Sequence, residues 1–196
     1  MTRLTRAETQ ERTRERLVTT ARGLFLRNGY ALTSLSDVAE TAGYSKGAVY
    51  SNFRSKGHLC LAVLDTIRAE QVALLTASVL RDAPVEDRLA AFTAWAETHI
   101  GDEHWTVLEV EFLTSTRHDP QLREETAARA AAARTALTHL LTALAHEVGA
   151  ELPLPADHAA MTLLSLGIGL GIQRVTDPTI PTTPLTDTLR LLLHTP

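Results

Sequence analysis

The sequence predicts an all-α protein, on the basis of its amino-acid composition and the spacing of its apolar residues. Leu and Ala dominate the chain, and both are good helix formers. Aromatic residues make up 5% of the sequence, and no alternating run of Val, Ile, Thr and Tyr indicates a β-strand. Apolar residues instead recur every three to four positions, which is the period of an amphipathic helix.

Four helices are predicted to begin within the first 60 residues. Serine residues that can cap a helix precede three of them, and glycines that can end a helix follow the first two. The pair Ser34 and Asp37 also forms a capping-box pattern. The predicted ranges are about 7–28, 34–42, 46–53 and 55–80, with Gly29 and Gly43 as the stops and Ser34, Ser45 and Ser55 as the caps.

Five further helices are predicted in the remainder of the chain. Loops that contain proline or glycine separate most of them, and the fourth of the five is the most apolar helix of the sequence. The predicted ranges are about 85–100, 103–116, 120–148, 156–175 and 185–194. We expect the small N-terminal group of helices and the larger helical body to share the long fourth helix.

The chain has 196 residues, of which 44% are hydrophobic and 21% charged, as in ordinary globular proteins. Its single cysteine, Cys60, excludes a disulfide within the chain and is predicted to be a buried thiol. The longest apolar stretch, residues 159–172, is shorter than the roughly 20 residues that a bilayer requires. With no apolar segment in the first sixteen residues, we expect a cytoplasmic protein that is not in a membrane.

Charge is distributed unevenly along the chain. Residues 1–60 contain ten basic and five acidic residues, a formal charge of +5, whereas the remainder carries −9. A basic N-terminal part on an acidic body favours a polyanion as the partner of the basic part. Solvated charges alone would give the same pattern, so the motif within this basic part decides the interpretation.

Residues 29–59 have the pattern of a helix-turn-helix, in which two short helices are joined by a tight turn at Gly43. Val38 and Ala42 on the first short helix, with Val49 and Phe53 on the second, are predicted to form a small core. The outward face of the second short helix carries hydrogen-bond donors and few acids, namely Lys46, Gly47, Tyr50, Ser51 and Asn52. Such a helix can enter the major groove of DNA.

The two lysines of the chain, Lys46 and Lys56, each follow a predicted capping serine. A cation is unfavourable at a helix N-terminus because of the helix dipole. A lysine beside exposed N–H groups at that position, however, forms a site for an anion such as phosphate. We therefore interpret the pair as phosphate-binding, the alternative being two solvated surface lysines.

Residues 10–60 resemble the TetR family of transcriptional regulators. The family pattern is matched by Gly29-Tyr30, Thr33-Ser34, Val38-Ala39, Ala42-Gly43, Ser45-Lys46-Gly47, Tyr50, Phe53 and Ser55-Lys56. Val38 replaces the commoner Ile, and Asn52 stands where His is frequent. The resemblance implies an N-terminal three-helix bundle with a helix-turn-helix, residues 1–58, joined to a helical ligand-binding and dimerisation domain, residues 59–196.

By this resemblance, three residues approach base edges, namely Tyr44, Lys46 and Gly47. The phosphate contacts are assigned to Thr33, Ser34, Ser45, Tyr50, Asn52 and Lys56. Phosphate contacts determine the register of the protein on DNA and much of the affinity, and base contacts determine which DNA sequence is recognised. Arg3 and Arg6, ahead of helix one, form either a minor-groove arm or a solvated tail.

Aromatic and polar residues of the middle helices form a predicted pocket for a small molecule, with ordinary core packing as the alternative. They are Phe92, Trp95, His99, Trp105, Glu109 and Phe112. Glycines in the most apolar helix permit close packing against another helix. This helix and the last helix are therefore predicted to form a dimer interface. The alternative is that both helices belong to the chain's own core. That predicted interface consists of Leu164, Gly167, Ile168, Gly171, Leu185, Leu189 and Leu192.

No catalytic set is found: the sequence has no G-x-S-x-G elbow, Walker loop or C-x-x-C pair, and its histidines lack metal-ligand spacing. We expect no cofactor. The leading hypothesis is a homodimeric repressor that binds a pseudo-palindromic DNA operator and is released by a small molecule. The alternatives are a small helical enzyme that uses the His- and Glu-rich middle helices, and a DNA-binding module without a ligand.

Overall fold

The computed structural model describes residues 5–193, and all regular structure within that range is helical, which confirms the predicted all-α class. These residues form nine α-helices, namely α1 Arg6–Leu32, α2 Leu35–Ala42, α3 Lys46–Asn52, α4 Lys56–Val79, α5 Val85–His99, α6 Glu103–Ser115, α7 Pro120–Glu147, α8 Ala156–Thr176 and α9 Thr183–Leu192. A 3₁₀ turn, Thr116–His118, follows α6.

The capping signals in the sequence mark the observed helix ends well. Ser34 accepts a hydrogen bond from the Asp37 N–H, and Asp37 in turn accepts one from the Ser34 N–H. Gly43 ends α2 in the left-handed conformation (φ 75°). These bonds satisfy N–H and C=O groups that a short helix would otherwise leave unpaired, so α2 and α3 form where the sequence predicts them.

Helix α1 differs from its predicted range at both ends. It begins at Arg6, where Thr5 and Glu8 form a capping box, so Arg6 lies in the helix, whereas Arg3 is outside the described residues. Gly29 has φ 79° and ψ 169° and breaks the helix at the predicted stop, and the short segment beyond it ends at Leu32. Gly can adopt this conformation because it has no Cβ.

The chain divides into two compact units by its contacts. Unit 1 consists of residues 1–68 and 107–126, and unit 2 of residues 69–106 and 127–196. The long helices α4, α6 and α7 each contribute residues to both units. The predicted boundary between a DNA-binding and a ligand-binding domain, after residue 58, is a functional one. It stays a prediction, because these two units are defined by packing alone.

Unit 1 is built around the helix-turn-helix. Its core contains the predicted small cluster, Val38, Ala42, Val49 and Phe53, all of them buried. It also contains the buried residues Leu17, Ala21, Leu24, Phe25 and Ala39. The α4 residues Leu59, Cys60, Leu61, Val63 and Leu64 and the α6 residues Leu108 and Phe112 are also buried. Burial of these side chains fixes the orientation of the short α3 helix, which is too short to be stable alone.

Unit 2 has its own core, to which α5, α7, α8 and α9 contribute Leu89, Phe92, Leu141, Leu144, Leu163, Leu170, Leu185 and Leu189 among others. Arg174 of α8 joins the loop after α5 to the loop before α9. Its guanidinium donates to the Ile100 carbonyl at 2.7 Å and also to the Ile180 carbonyl. Gly101, with φ 84°, lies directly against the Arg174 side chain.

Candidate nucleic-acid interface

The outward face of α3 is exposed, as the sequence predicts for a recognition helix. Ser45, Lys46, Gly47 and Tyr50 are all exposed, Tyr50 at 60%. The Ser45 hydroxyl accepts from the Ala48 N–H at 3.2 Å and so leaves its own hydrogen for another acceptor. Tyr44, in the turn before α3, is half-buried.

An open cleft of about 490 Å³ lies beside this face and contains four of the nine residues predicted to bind DNA. It is lined by residues 31–36, Tyr50 and residues 54–56, so Thr33, Ser34, Tyr50 and Lys56 come together there. The N-termini of α2 and α4 both open into the cleft. Exposed N–H groups and the helix dipoles at these two ends favour an anion.

The serines at these N-termini accept hydrogen bonds from backbone N–H groups of their own helices. Ser34 accepts from the Asp37 N–H at 3.2 Å, and Ser55 accepts from the His58 N–H at 3.3 Å. The Ser34 N–H donates to the Asp37 carboxylate and thereby lowers the pKa of that exposed carboxyl. The Ser34 hydroxyl keeps its hydrogen available for a ligand oxygen.

Two residues predicted to bind phosphate have side chains that bond within the chain. The Thr33 side chain is 2% exposed and its hydroxyl donates to the Gly29 carbonyl at 2.9 Å. The Asn52 amide donates to the Ala48 carbonyl at 2.8 Å. Any contact by Thr33 with DNA therefore falls to its backbone, because a buried hydroxyl cannot reach a phosphate.

Lys56 is also engaged inside unit 1. Its ammonium donates to the carbonyls of Tyr30, at 2.9 Å, and Ala31, at 3.3 Å. It also lies 4.3 Å from the centre of the Tyr30 ring. An ammonium has three hydrogens, and the two carbonyls accept two of them.

Two arginines that were not predicted from the sequence lie at or near this surface. Arg54 is exposed and lines the cleft; its position beside Ser55-Lys56 in a basic run is a signal that could have found it. Arg14 donates to the Asn52 carbonyl at the end of α3 and lies 4.4 Å from the centre of the Phe53 ring. No local pattern indicates that contact, because it joins residues 38 apart.

The residues predicted to form a ligand pocket are divided between the two units. In unit 2, Phe92, Trp95 and His99 stack in a row, with centroid separations of 5.9 and 5.6 Å. The Trp95 ring nitrogen is buried and has no hydrogen-bond partner among the described residues. The Trp105 ring nitrogen donates to the His99 carbonyl at 3.4 Å.

The other two predicted pocket residues, Glu109 and Phe112, belong to unit 1. Glu109 forms an ion pair with Arg68 at 2.5 Å. Phe112 is completely buried and meets the Tyr30 ring edge-on at 5.8 Å. Phe112 is thus part of the core of unit 1.

The residues predicted to form a dimer interface separate into two groups. Gly171, Leu185, Leu189 and Leu192 are buried within unit 2, so they form part of the chain's own core. Leu164 and Gly167 are half-buried, and Ile168 is 54% exposed. Met161 and Ile172 are exposed as well and continue one stripe along α8, at helical spacing from Ile168.

Helix α8 is long and apolar enough to cross a membrane by length and composition alone, which for a single helix is weak support for a span. Only 28% of this stretch is buried within the chain. Exposed apolar surface of this kind on a helix is also typical of protein–protein contacts.

Metal-ligating side chains and the single cysteine are the groups that could take part in metal or nucleophilic chemistry. Within residues 5–193, no three His, Cys, Asp or Glu side chains are grouped so that they could hold a metal ion. Cys60 is buried, as predicted, and burial raises the pKa of its thiol far above the ordinary value. A thiol that stays protonated is a poor nucleophile.

Comparison with known proteins decides the family. Residues 17–63 match the model of the bacterial regulatory proteins of the tetR family, and residues 84–195 match the C-terminal domain of BetI-type transcriptional repressors. The chain belongs to the TetR family. This confirms the resemblance noted on the helix-turn-helix residues and extends it over the larger, C-terminal part.

A curated relative agrees with this TetR-family assignment. The chain is 39% identical over 82 residues to the HTH-type transcriptional regulator TtgR of Pseudomonas putida, a match that covers 42% of this chain and 39% of TtgR. The matched region is thus about two fifths of the length of that relative.

Solved structures share the fold. A transcriptional regulator from Rhodococcus sp. RHA1 has a TM-score of 0.76 at 19% identity, covering 94% of this chain and 96% of that one. The SmeT–triclosan complex has a TM-score of 0.61 at 24% identity, covering 93% and 88%. At these identities the similarity shows the fold of this TetR-family chain.

Proposed function

We propose that this TetR-family protein is a cytoplasmic, homodimeric repressor that binds a pseudo-palindromic DNA operator and is released from it by a small molecule. The observation that carries the proposal is the exposed face of α3 beside a basic cleft into which two helix N-termini open. Lys46 and Gly47 reach base edges, and Ser34, Arg54 and Lys56 hold phosphates. The similarity to TtgR, a transcriptional regulator, supports the same function.

Selection from random duplex DNA tests this proposal. Purified protein is expected to enrich an inverted repeat whose half-sites are one helical turn, about 34–36 Å, or a multiple of it apart, because two recognition helices must read successive major grooves. Enrichment of no sequence, or of unrelated sequences in repeated selections, would count against operator binding.

Lys46→Ala is expected to weaken operator binding and to change the order of preference among operator variants, because a base contact contributes about 1–3 kcal/mol of discrimination. Arg81→Ala is the matched control, since it also removes one exposed positive charge but lies in unit 2. Titrations of both variants against a panel of single-base operator changes check the prediction. An unaltered order of preference for Lys46→Ala would remove this residue from the base contacts.

The proposed ligand site is the aromatic row of Phe92, Trp95 and His99. Stacked rings with a buried, unpartnered indole N–H fit an apolar or aromatic molecule that also carries a hydrogen-bond acceptor. SmeT, which shares the fold, is known as a complex with triclosan. A thermal-shift screen of such compounds is expected to find one that both stabilises the protein and releases it from the operator.

If no compound stabilises the protein, the DNA-binding module without a ligand becomes the better interpretation. The enzyme alternative is not favoured, because the chain belongs to a family of regulators.

The proposed dimer forms through the exposed stripe of α8. Gly169→Leu is expected to weaken dimerisation, because no atom of the described residues lies within 4 Å of an added Cβ and the larger side chain would enter the space of the proposed partner. Sedimentation of the variant checks this, with Val72→Glu, a change at an exposed apolar residue of α4, as the control. An unchanged dimer in Gly169→Leu would move the interface elsewhere.

A further inference from the structure

The corner between α1 and α2 is held by two charged side chains that bind the same residue from opposite sides. Gly29 breaks α1, and the Tyr30 N–H that follows donates to the Glu111 carboxylate of α6 at 2.6 Å. The Tyr30 carbonyl accepts from the Lys56 ammonium of α4 at 2.9 Å. Both contacts lie within unit 1, so α4 and α6 together fix one residue of the corner.

The packing around Tyr30 restricts its movement further. Its ring stacks on Phe25 at 5.9 Å, meets Phe112 edge-on at 5.8 Å and lies under the Lys56 ammonium. A Cβ at Gly29 would stand 3.0 Å from the Glu111 carboxylate, so the glycine leaves room for this carboxylate. The corner has little freedom while Glu111 and Lys56 stay in place.

Three residues separate Tyr30 from Ser34, whose N–H and hydroxyl lie at the start of α2. The residues next to these two are joined, because the buried hydroxyl of Thr33, which precedes Ser34, donates to the carbonyl of Gly29, which precedes Tyr30. A shift of Tyr30 therefore moves the N-terminus of α2 at the edge of the cleft. Charged hydrogen bonds are about twice as strong as neutral ones, which suits them to hold such a point.

We propose that Glu111 and Lys56 are positioning residues that clamp Tyr30 and thereby set the phosphate-binding geometry of α2. Glu111 makes operator affinity depend on α6, a helix whose first residues belong to unit 2. Lys56 makes operator affinity depend on α4 as well, through its hydrogen bond to the Tyr30 carbonyl. This regulatory role rests on the proposed DNA-binding function, whereas the clamp itself is a property of the DNA-free chain.

Amine labelling of the DNA-free protein tests the clamp directly. An amine-reactive reagent modifies Lys46, Lys56 and the N-terminal amine, because these are the amines in the sequence. Lys56 is expected to react about tenfold more slowly than the exposed Lys46, since its ammonium is held by two carbonyls. Glu111→Ala is expected to raise the rate at Lys56 several-fold with no change at Lys46, and equal rates at both lysines in the parent protein would overturn the clamp.

Operator affinity tests the regulatory role. Glu111→Ala is expected to lower affinity about tenfold or more by freeing the Tyr30 N–H. Glu111→Gln is expected to restore most of it, because the amide oxygen can accept the same hydrogen bond. Glu103→Ala, which removes an exposed acid from the same helix, is the control and is expected to bind as the parent does.

Parent-like binding by Glu111→Ala, or failure of Glu111→Gln to rescue, would overturn the positioning role. A parent protein that binds no operator would instead refute the proposed function, and the labelling ratio would still decide whether the clamp exists. If Glu111→Ala does not fold, the labelling ratio of the parent and the behaviour of the Gln variant carry the test.

Discussion

Phe53→Ala is expected to destabilise the helix-turn-helix unit by about 3–5 kcal/mol, as for other buried aromatic truncations, and to abolish operator binding. Phe53 is 3% exposed, and Arg14 lies over its ring. Its removal empties part of a small core and also loosens the arginine that binds the carbonyl end of α3. Because α3 is seven residues long, it depends on this packing for its stability.

Hydrogen exchange of the α3 amides measures the local loss, and sedimentation measures the dimer. The dimer is expected to survive, because the proposed interface lies on α8. Leu32→Ala is the control: it truncates an apolar side chain that is 82% exposed, so a change within about 0.5 kcal/mol is expected. Normal operator binding by Phe53→Ala would show that Phe53 does not support the recognition helix.

Gly101→Ala is expected to destabilise unit 2 by about 2–5 kcal/mol, for two reasons that add. The positive φ of 84° costs a residue with a Cβ about 1–2 kcal/mol. The added methyl would also overlap the Cβ of Arg174 and approach its Nε to 3.2 Å, and overpacking of this kind costs about 1–3 kcal/mol. The Arg174 hydrogen bonds to Ile100 and Ile180 would be disturbed as well.

Gly149→Ala separates the two causes. Gly149 also has a positive φ, 67°, but no atom in the described part of the chain lies within 4 Å of an added Cβ there. This control therefore reports the conformational cost alone, about 1–2 kcal/mol. Urea unfolding followed by the fluorescence of Trp95 and Trp105, both in unit 2, measures the two variants. Equal losses would show that Arg174 gives way and that the contact with Gly101 is unimportant.

The helices of the N-terminal part could be predicted from the sequence because local signals determine their ends. The Ser34–Asp37 capping box and the stops at Gly29 and Gly43 act within a few residues, and each is present in the structure. The outward face of α3 followed in the same way from the apolar spacing of Val49 and Phe53.

The side-chain contacts of the corner could not be predicted, because they join residues far apart in the chain. Glu111 is 81 residues from Tyr30, and Lys56 is 26 residues from it. Local spacing cannot show that the Lys56 ammonium binds carbonyls or that the Thr33 hydroxyl is buried. These contacts depend on how α4 and α6 pack in unit 1.

The dimer and pocket residues show a related limit. Apolar spacing indicates which face of a helix is buried, but the same pattern serves a chain's own core and a partner. Leu185 and Leu189 cover the core of unit 2, whereas Ile168 is exposed on α8. Likewise, Phe92 and Phe112 are both buried aromatics, yet they belong to different units.

Operator specificity is the central claim, and it is tested most directly by comparing two duplexes at the same salt concentration. One is the inverted repeat enriched by selection, and the other is a scrambled duplex of the same length and composition. The protein is expected to bind the repeat at least about 10³-fold more tightly, with a log affinity that falls linearly with log salt. Equal affinity for the two duplexes would contradict the account.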